Sequence, residues 1–392
     1  MNKTKKPIVI VGSGFGGINA ALHLRKNNPN FSIIVIDVKT NFEFKPLLYE
    51  VFSDEIKSWE VNPTFDSIYA NSGITFVRNQ VDFIDFDKNL LILQDDLKVE
   101  FEYLILATGS FPNDFSIKGV KEYCSFFNTN KDQLNLKKLL EKPVSIGTNN
   151  KIFIIGAGPS GVELACKICD LYKLKFEIFI IEKTSKILNN SKIFNKEEAE
   201  KTIATKNINL MKNYSVIEVT DEKILLSNNL NQIEEFSYFE VIWTAGIKPN
   251  LPKFNKRIQV FNNKILINNN LQLKHFPNIF AIGDIAQIES DISFPVTAQV
   301  AMQQGEHVAL NLQLLMNNKK LLPFKFHDNG EMMSLGIGNA SISGLGLTLS
   351  GKLAFDLRRI IYASKMPKFG KSLKSTAAWF LDKKSIFKDI YK

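Results

Sequence analysis

Residues 7–37 read PIVIVGSGFGGINAALHLRKNNPNFSIIVID, and the rest of the chain is organised around them. Ile8 to Val11 are an apolar run of the kind that makes a strand buried on both faces. Gly12, Gly14 and Gly17 follow as a G-x-G-x-x-G turn, Ile18 to Leu24 carry helical character, and a second apolar run ends at Asp37, twenty residues after the last glycine. In such a unit the first glycine makes the tight turn, the second lets the backbone approach a pyrophosphate, and the third lets helix and strand pack closely. The helix N-terminus faces the phosphates, and Asp37 can accept hydrogen bonds from a ribose diol. A plain glycine turn in an α/β sheet is the alternative. The strand-turn-helix-strand-acid setting is what speaks for nucleotide binding.

The chain then repeats the arrangement. Lys151 to Glu182 read KIFIIGAGPSGVELACKICDLYKLKFEIFIIE, with Gly156, Gly158, Gly161 and a terminal Glu182 in the same places. Each unit is followed by a second shared signature, FEYLILATGSFPN at 101–113 and FEVIWTAGIKPN at 239–250, in which an apolar strand breaks at Gly109 or Gly246. Two copies of one architecture imply two dinucleotides. The economical chemistry is hydride transfer from a nicotinamide in one site to a flavin in the other.

At 392 residues the chain fits two or three domains. No run of eighteen apolar residues is present, so no spanning helix is expected. MNKTKKP lacks an apolar segment of signal-peptide length, which predicts a protein facing the cytoplasm. The net charge of +9 is concentrated in Lys352 to Lys392, where eleven Lys or Arg stand against three Asp. Three cysteines are too few for a disulfide framework. Cys166 and Cys169 form a C-x-x-C inside the second glycine-motif helix, where packing is favoured over a redox role. No cysteine pair lies in 37–52, so electrons are expected to leave a flavin without a thiol relay, and no metal site is read.

Several further segments carry candidate chemistry. NFEFKPLLYEVFSDEIKSWEV, 41–61, reads as an irregular aromatic loop whose Lys45 could stabilise negative charge on a reduced flavin. Residues 74–101 read as a small antiparallel excursion. Glu163, two residues past Gly161, is either a carboxylate complementing the helix dipole or a proton relay near the flavin. Glu182 favours NADH, since a carboxylate repels a 2′-phosphate, while Lys183 and Lys186 soften that preference. In NIFAIGDIAQI, 278–288, Asp284 lies at a strand end and could bind ribityl hydroxyls. FPVTAQVAMQQGEHVALNL, 294–312, is helical after Pro295, with Gln299 and Gln303 on one face where neutral amides suit a flavin edge or a quinone.

The two glycine motifs with ATGS, WTAG, IFAIGDIA and above all TAQVAMQQG resemble the type II NAD(P)H:quinone oxidoreductases, non-pumping flavoproteins with two dinucleotide sites. The resemblance implies FAD at Gly12, Gly14, Gly17, Asp37, Lys45, Pro46, Val81, Thr108, Gly109 and Asp284. It implies NADH or NADPH at Gly156, Gly158, Gly161, Glu182 and Gly246. Glu163, Gln299 and Gln303 then fall on the quinone side, and Met302 stands where some relatives have a histidine. Residues 41–61 and 346–380 are similar to the cyanobacterial and plastid branch, which reduces demethylphylloquinone and is associated with NADPH as well as NADH. The nicotinamide preference therefore stays open.

The expected architecture is α/β, with two Rossmann-like domains of glutathione-reductase type. Residues 1–115 and 251–330 make an FAD-binding domain, 116–250 an NAD(P)H-binding domain, and 331–392 a membrane-association and quinone-side region. In the tail, Leu353, Leu357, Ile360 and Ile361 are read as one apolar face with Arg358 and Arg359 beside it, and Leu373, Ala377, Phe380 and Leu381 as a second. Basic amphipathic helices of this kind lie on anionic membranes. The alternative is packing onto the catalytic body or a dimer partner. The expected protein is peripheral, on the cytoplasmic face of a thylakoid or plasma membrane, with a naphthoquinone as acceptor and no nucleic-acid partner. A reductase of a small electron-carrier protein and a non-enzymatic nucleotide sensor are the competing readings.

Overall fold

The computed structural model describes residues 6–143, 150–255, 258–291 and 295–367. The chain divides into two compact units, Met1–Phe42 with Pro63–Phe111 and Lys248–His327, and Glu43–Asn62 with Pro112–Ile247 and Asp328–Lys392.

In the first unit the apolar run at Ile8–Val11 is central to a parallel sheet, flanked by Ile33–Asp37 and Tyr103–Leu106. Ile74–Arg78 extends the sheet beyond Ile33–Asp37, and Phe276–Ala281 extends it beyond Tyr103–Leu106. All four residues of the first strand are buried, as a strand covered on both faces must be. The helix Phe15–Asn27 follows the glycine turn, and the long helix Ala298–Met316 packs on it. Gly305 sits at their closest approach, where a Cβ would come within 2.4 Å of the Gly16 carbonyl oxygen. The expected antiparallel excursion is smaller than 74–101. Its first strand, Ile74–Arg78, joins the main parallel sheet, because every residue of it pairs with Ile33–Asp37. Only Val81–Asp85, Leu90–Leu93 and Lys98–Glu100 fold back on one another.

The second unit repeats the pattern. Its parallel sheet runs Asn209–Lys212, Glu177–Glu182, Lys151–Ile155, Glu240–Trp243, Ser125–Phe126. The glycine-motif helix Pro159–Tyr172 packs Leu164, Ala165, Cys166 and Ile168 into the main apolar cluster of this unit. Cys166 thus fills core space, and burial pushes its thiol up to about 12. An antiparallel sheet, Glu331–Ser334, Ala340–Gly344 and Leu347–Ser350, leads into the helix Gly351–Ser364.

Two expectations need correction here. The stretch 41–61 is ordered as a short 3-10 turn Lys45–Leu47 and the helices Leu48–Phe52 and Ser58–Val61. Pro46 lies in the first turn of this 3-10 helix, where its missing N–H costs nothing. The tail helix also turns a different face inward. Ala354, Phe355, Arg358 and Ala363 are buried, while Leu353 is 67 % exposed and Ile360 faces solvent. Arg358 is held by buried carboxylates, so it is not a headgroup-facing cation. The second apolar face, Leu373 to Leu381, lies outside the described residues.

Candidate functional site

Both glycine turns are built the same way, and the acid at the end of the second strand is the part that holds them. In the first unit the Ser13 N–H donates to Asp37 Oδ2 at 2.6 Å and the Lys39 N–H to Oδ1 at 2.9 Å. In the second unit the Ala157 N–H donates to Glu182 Oε2 at 3.0 Å, and the Thr184 N–H and hydroxyl donate to Oε1 at 2.8 and 2.7 Å. In each case the residue between the first two glycines is tied to the acid. A carboxylate has about four acceptor positions, so Asp37, with two of them used, keeps room for a ribose diol, and Glu182, with three used, keeps room for one hydroxyl.

The glycines divide by what surrounds them. A Cβ on Gly12 would lie 2.2 Å from the Ala107 carbonyl oxygen, and one on Gly17 would lie 1.9 Å from that of Gly12. On Gly161 it would meet the Gly156 oxygen at the same 1.9 Å. Gly14 and Gly158 have nothing within 4 Å of the Cβ position, so the space in front of both is open to a ligand. Each helix begins there without a side-chain cap or an acid in its first turn. Exposed N–H groups at an uncapped, acid-free helix start suit a pyrophosphate. The residues present therefore fit two dinucleotides.

Around the first turn, Thr108 Oγ1 donates to the Asn250 carbonyl, and the Asn250 N–H donates to that of Gly109 at 2.9 Å. Asp284 accepts from Ser110 Oγ. Gln304 Oε1 accepts from the Gly283 N–H at 2.7 Å, fixing the Gly283-Asp284 turn. Sequence reasoning missed Gln304, which directly follows Gln303 and is buried. A small cleft opens beside this turn, lined by Gly283, Thr297, Val300 and Gln304 among others. Gln303 spends its amide on structure, donating to the His327 carbonyl at 2.8 Å and accepting from the His327 N–H at 2.9 Å. Gln299, one turn earlier, is half-buried. Val81 opens the strand Val81–Asp85.

In the second unit Gly246 has φ +67°, and a Cβ there would come within 2.5 Å of the Phe115 ring. Lys45 Nζ donates to Asn128 Oδ1 at 2.7 Å at the edge of a small cleft that also includes Glu43, Phe44 and Asn130. The Pro46 carbonyl accepts from Arg358 Nη2 at 2.7 Å. The same Nη2 donates to Glu163 Oε1 at 3.2 Å, and Nη1 donates to Glu50. The Ser334 N–H also donates to Glu163 Oε1, at 2.7 Å. Burial raises the Glu163 carboxyl to about 7, against the opposing pull of Arg358 and of the Ser334 N–H.

This shift has a measurable consequence. A carboxyl whose folded value lies above its unfolded value near 4.3 contributes stability that is full below the unfolded value and lost as pH rises to the folded one. Stability is therefore expected to fall by on the order of 3 kcal/mol between about pH 4.5 and 7 from this group. Glu240, also raised to about 7 by burial, adds to the same slope. Urea unfolding of wild type and Glu163→Gln across this range isolates the first contribution. Equal slopes for the two proteins would contradict it.

The description of the pyridine nucleotide-disulphide oxidoreductases matches residues 6–305, which takes in both glycine turns. The chain belongs to this family. Within it, the chain is 32 % identical to the demethylphylloquinone reductase of Synechocystis, over 97 % of this chain and 96 % of that one. It is 30 % identical to an alternative NAD(P)H-ubiquinone oxidoreductase of Arabidopsis thaliana, over 96 % and 81 % of the two chains. These similarities place it among the type II NAD(P)H:quinone oxidoreductases of the family. The NDH2 structure from Plasmodium falciparum in complex with NADH superposes with a TM-score of 0.86 over 97 % of this chain and 98 % of that one, at 20 % identity, and so shares the fold. The disulphide in the family's name has no counterpart among the described residues, where Cys124, Cys166 and Cys169 are free thiols.

Proposed function

We propose that the protein is an FAD-dependent NAD(P)H:quinone oxidoreductase that reduces a membrane naphthoquinone of the demethylphylloquinone kind. The observation that carries this reading is the paired construction of the two glycine turns, each open in front of its second glycine and each held by an acid. A chain with two such sites suits two dinucleotides, and its curated relatives are named as quinone reductases. FAD, when bound, supplies a two-electron acceptor for hydride and a donor to quinone.

The chain's own residues do the rest. Gly12, Gly14, Gly17, Asp37, Thr108, Gly109 and Asp284 hold FAD, on a domain made by 1–115 and 251–330. Gly156, Gly158, Gly161, Glu182 and Gly246 hold the nicotinamide nucleotide, on 116–250. Glu163 supplies a proton and Gln299 orients a quinone carbonyl. The test is Glu163→Gln and Gln299→Ala with flavin retained. Both are expected to slow quinone reduction, and an unchanged rate in each would remove these roles.

Glu182 sets the nicotinamide preference in this reading. Glu182→Gln removes the charge that repels a 2′-phosphate, and it leaves Lys183 and Lys186 exposed beside the site. The ratio of kcat/KM for NADPH to that for NADH is expected to rise about tenfold, one pKa-unit equivalent of interaction energy. Steady-state kinetics with both nucleotides measures it.

Residues 352–392 form the membrane-facing part. No described helix is long and apolar enough to cross a membrane. Leu345 at the hairpin tip is 86 % exposed, and Leu347, Leu353 and Ile360 are exposed as well. Apolar side chains presented beside lysines suit a surface that lies on an anionic bilayer.

A further inference from the structure

The second unit buries more charged groups around Glu163 than the proposed reaction calls for. Glu50 and Arg358 are both fully buried and ion-paired, and Arg358 also reaches Glu163. Lys167, equally buried and one turn after Glu163 on the same helix, pairs with Glu55. Glu55 is further bonded by Ser53 Oγ and by the Gly338 N–H. The groups facing Glu163 come from every packed element. Tyr49 and Glu50 come from Leu48–Phe52, Lys167 from its own helix, the Ser334 N–H from Glu331–Ser334, and Arg358 and Tyr362 from Gly351–Ser364.

Glu50, Glu55 and Glu163 share this region with Lys167, Arg358 and the part-buried Arg359, whose Nη2 donates to the Glu55 carbonyl at 3.1 Å and whose charge acts on Glu55 and Glu50. A buried charge without a partner is costly. Glu55 has its own lysine, hydroxyl and N–H. Glu50 and Glu163 are left with one guanidinium between them. Nη1 is committed to Glu50, while Nη2 divides between the Pro46 carbonyl and Glu163 at the longer distance. Both hydrogen bonds to Glu163 fall on Oε1. Oε2 is the oxygen left to carry a proton.

We infer that Glu50 is a positioning residue that engages Arg358 and so keeps Glu163 in the protonated form able to deliver a proton to the quinone. The inference rests on the quinone-reductase reading. NAD(P)H, quinone and one proton give NAD(P)+ and quinol, so one proton beyond the hydride must be supplied. The Glu163 Oε2–H bond breaks, its proton goes to the quinone oxygen that takes up the electron pair, and the carboxylate formed shares Arg358 with Glu50. With two carboxylates on one guanidinium, uptake of a proton from water resets the site.

The test is an infrared titration of the flavin-loaded protein, following the carbonyl band of a protonated buried carboxyl that is absent in Glu163→Gln, alongside the pH profile of naphthoquinone reduction. In Glu50→Gln the guanidinium is free for Glu163, and the midpoint of the band and of the alkaline limb is expected to move down by about one pH unit or more. Turnover at pH 8 then falls about tenfold, while Glu50→Asp restores it. Arg358→Lys, whose single head group stays with Glu50, is expected to move the band midpoint the opposite way. Coincident band titrations in wild type and Glu50→Gln, or an unmoved midpoint in Arg358→Lys, would overturn the role of Glu50. Wild type that shows the expected band shifts but no quinone turnover would instead overturn the reading on which the proton delivery rests.

Discussion

Gly14→Val is expected to give a folded, colourless protein with quinone reduction at background. The position has an ordinary extended backbone, φ −80° and ψ −160°, and nothing lies within 4 Å of where a Cβ would stand. The side chain therefore costs the fold little and occupies the space in front of an uncapped helix start, where a pyrophosphate belongs. Gly17→Ala makes the informative contrast. There the added Cβ meets the Gly12 carbonyl at 1.9 Å, which a well-packed turn cannot absorb. Its expected cost is about 3 kcal/mol or more, at the upper end of overpacking effects. Flavin absorbance and thermal unfolding of the two variants separate lost ligand space from lost structure. Bound flavin in Gly14→Val at wild-type occupancy would contradict the site.

Arg358→Met is expected to be the most destabilising single change in the second unit, by about 3–5 kcal/mol. Removing one partner of a buried ion pair leaves the other uncompensated, and here two carboxyls, Glu50 and Glu163, depend on the one guanidinium. Without the cation the Glu163 carboxyl, already raised by burial, ionises at higher pH in the folded state than in the wild type. The loss should therefore deepen as pH rises through that range and shrink in acid. Glu50→Gln combined with Arg358→Met is expected to recover part of the loss, because a neutral amide no longer needs the guanidinium. Denaturant unfolding at pH 5.5 and 8 measures both effects. A loss below about 1 kcal/mol, as for an exposed pair, would show that the arginine is not buried as described.

The dinucleotide units were legible because their signals are local. Fixed glycine offsets, apolar strands and a terminal acid all lie within about thirty residues of each other, and the structure reproduces them twice down to the acid that bonds the turn. The buried charge cluster was not legible, because its members lie far apart in the chain. Glu50 sits in an apolar stretch, PLLYEVF, and that charged residue among apolar neighbours was its one available sign. Arg358 lies beside Leu353, Leu357, Ile360 and Ile361, so periodicity assigned it to the flank of a lipid-facing stripe. The spacing of Ala354, Phe355, Arg358 and Ala363 is equally helical, and it is this face that is buried. Hydropathy favours the stripe with more leucine and isoleucine; buried partners for the arginine reverse the choice. Gln303 shows the same limit. Its position on the helix was readable, but its engagement with the His327 backbone was not.

The most direct test of the central claim is anaerobic flavin absorbance of the purified protein, mixed first with NADH or NADPH and then with a naphthoquinone. Bleaching by the nucleotide and rapid recovery of colour with the quinone are expected. Bleaching that no quinone reverses would contradict that claim and move the weight to a protein acceptor or a nucleotide sensor.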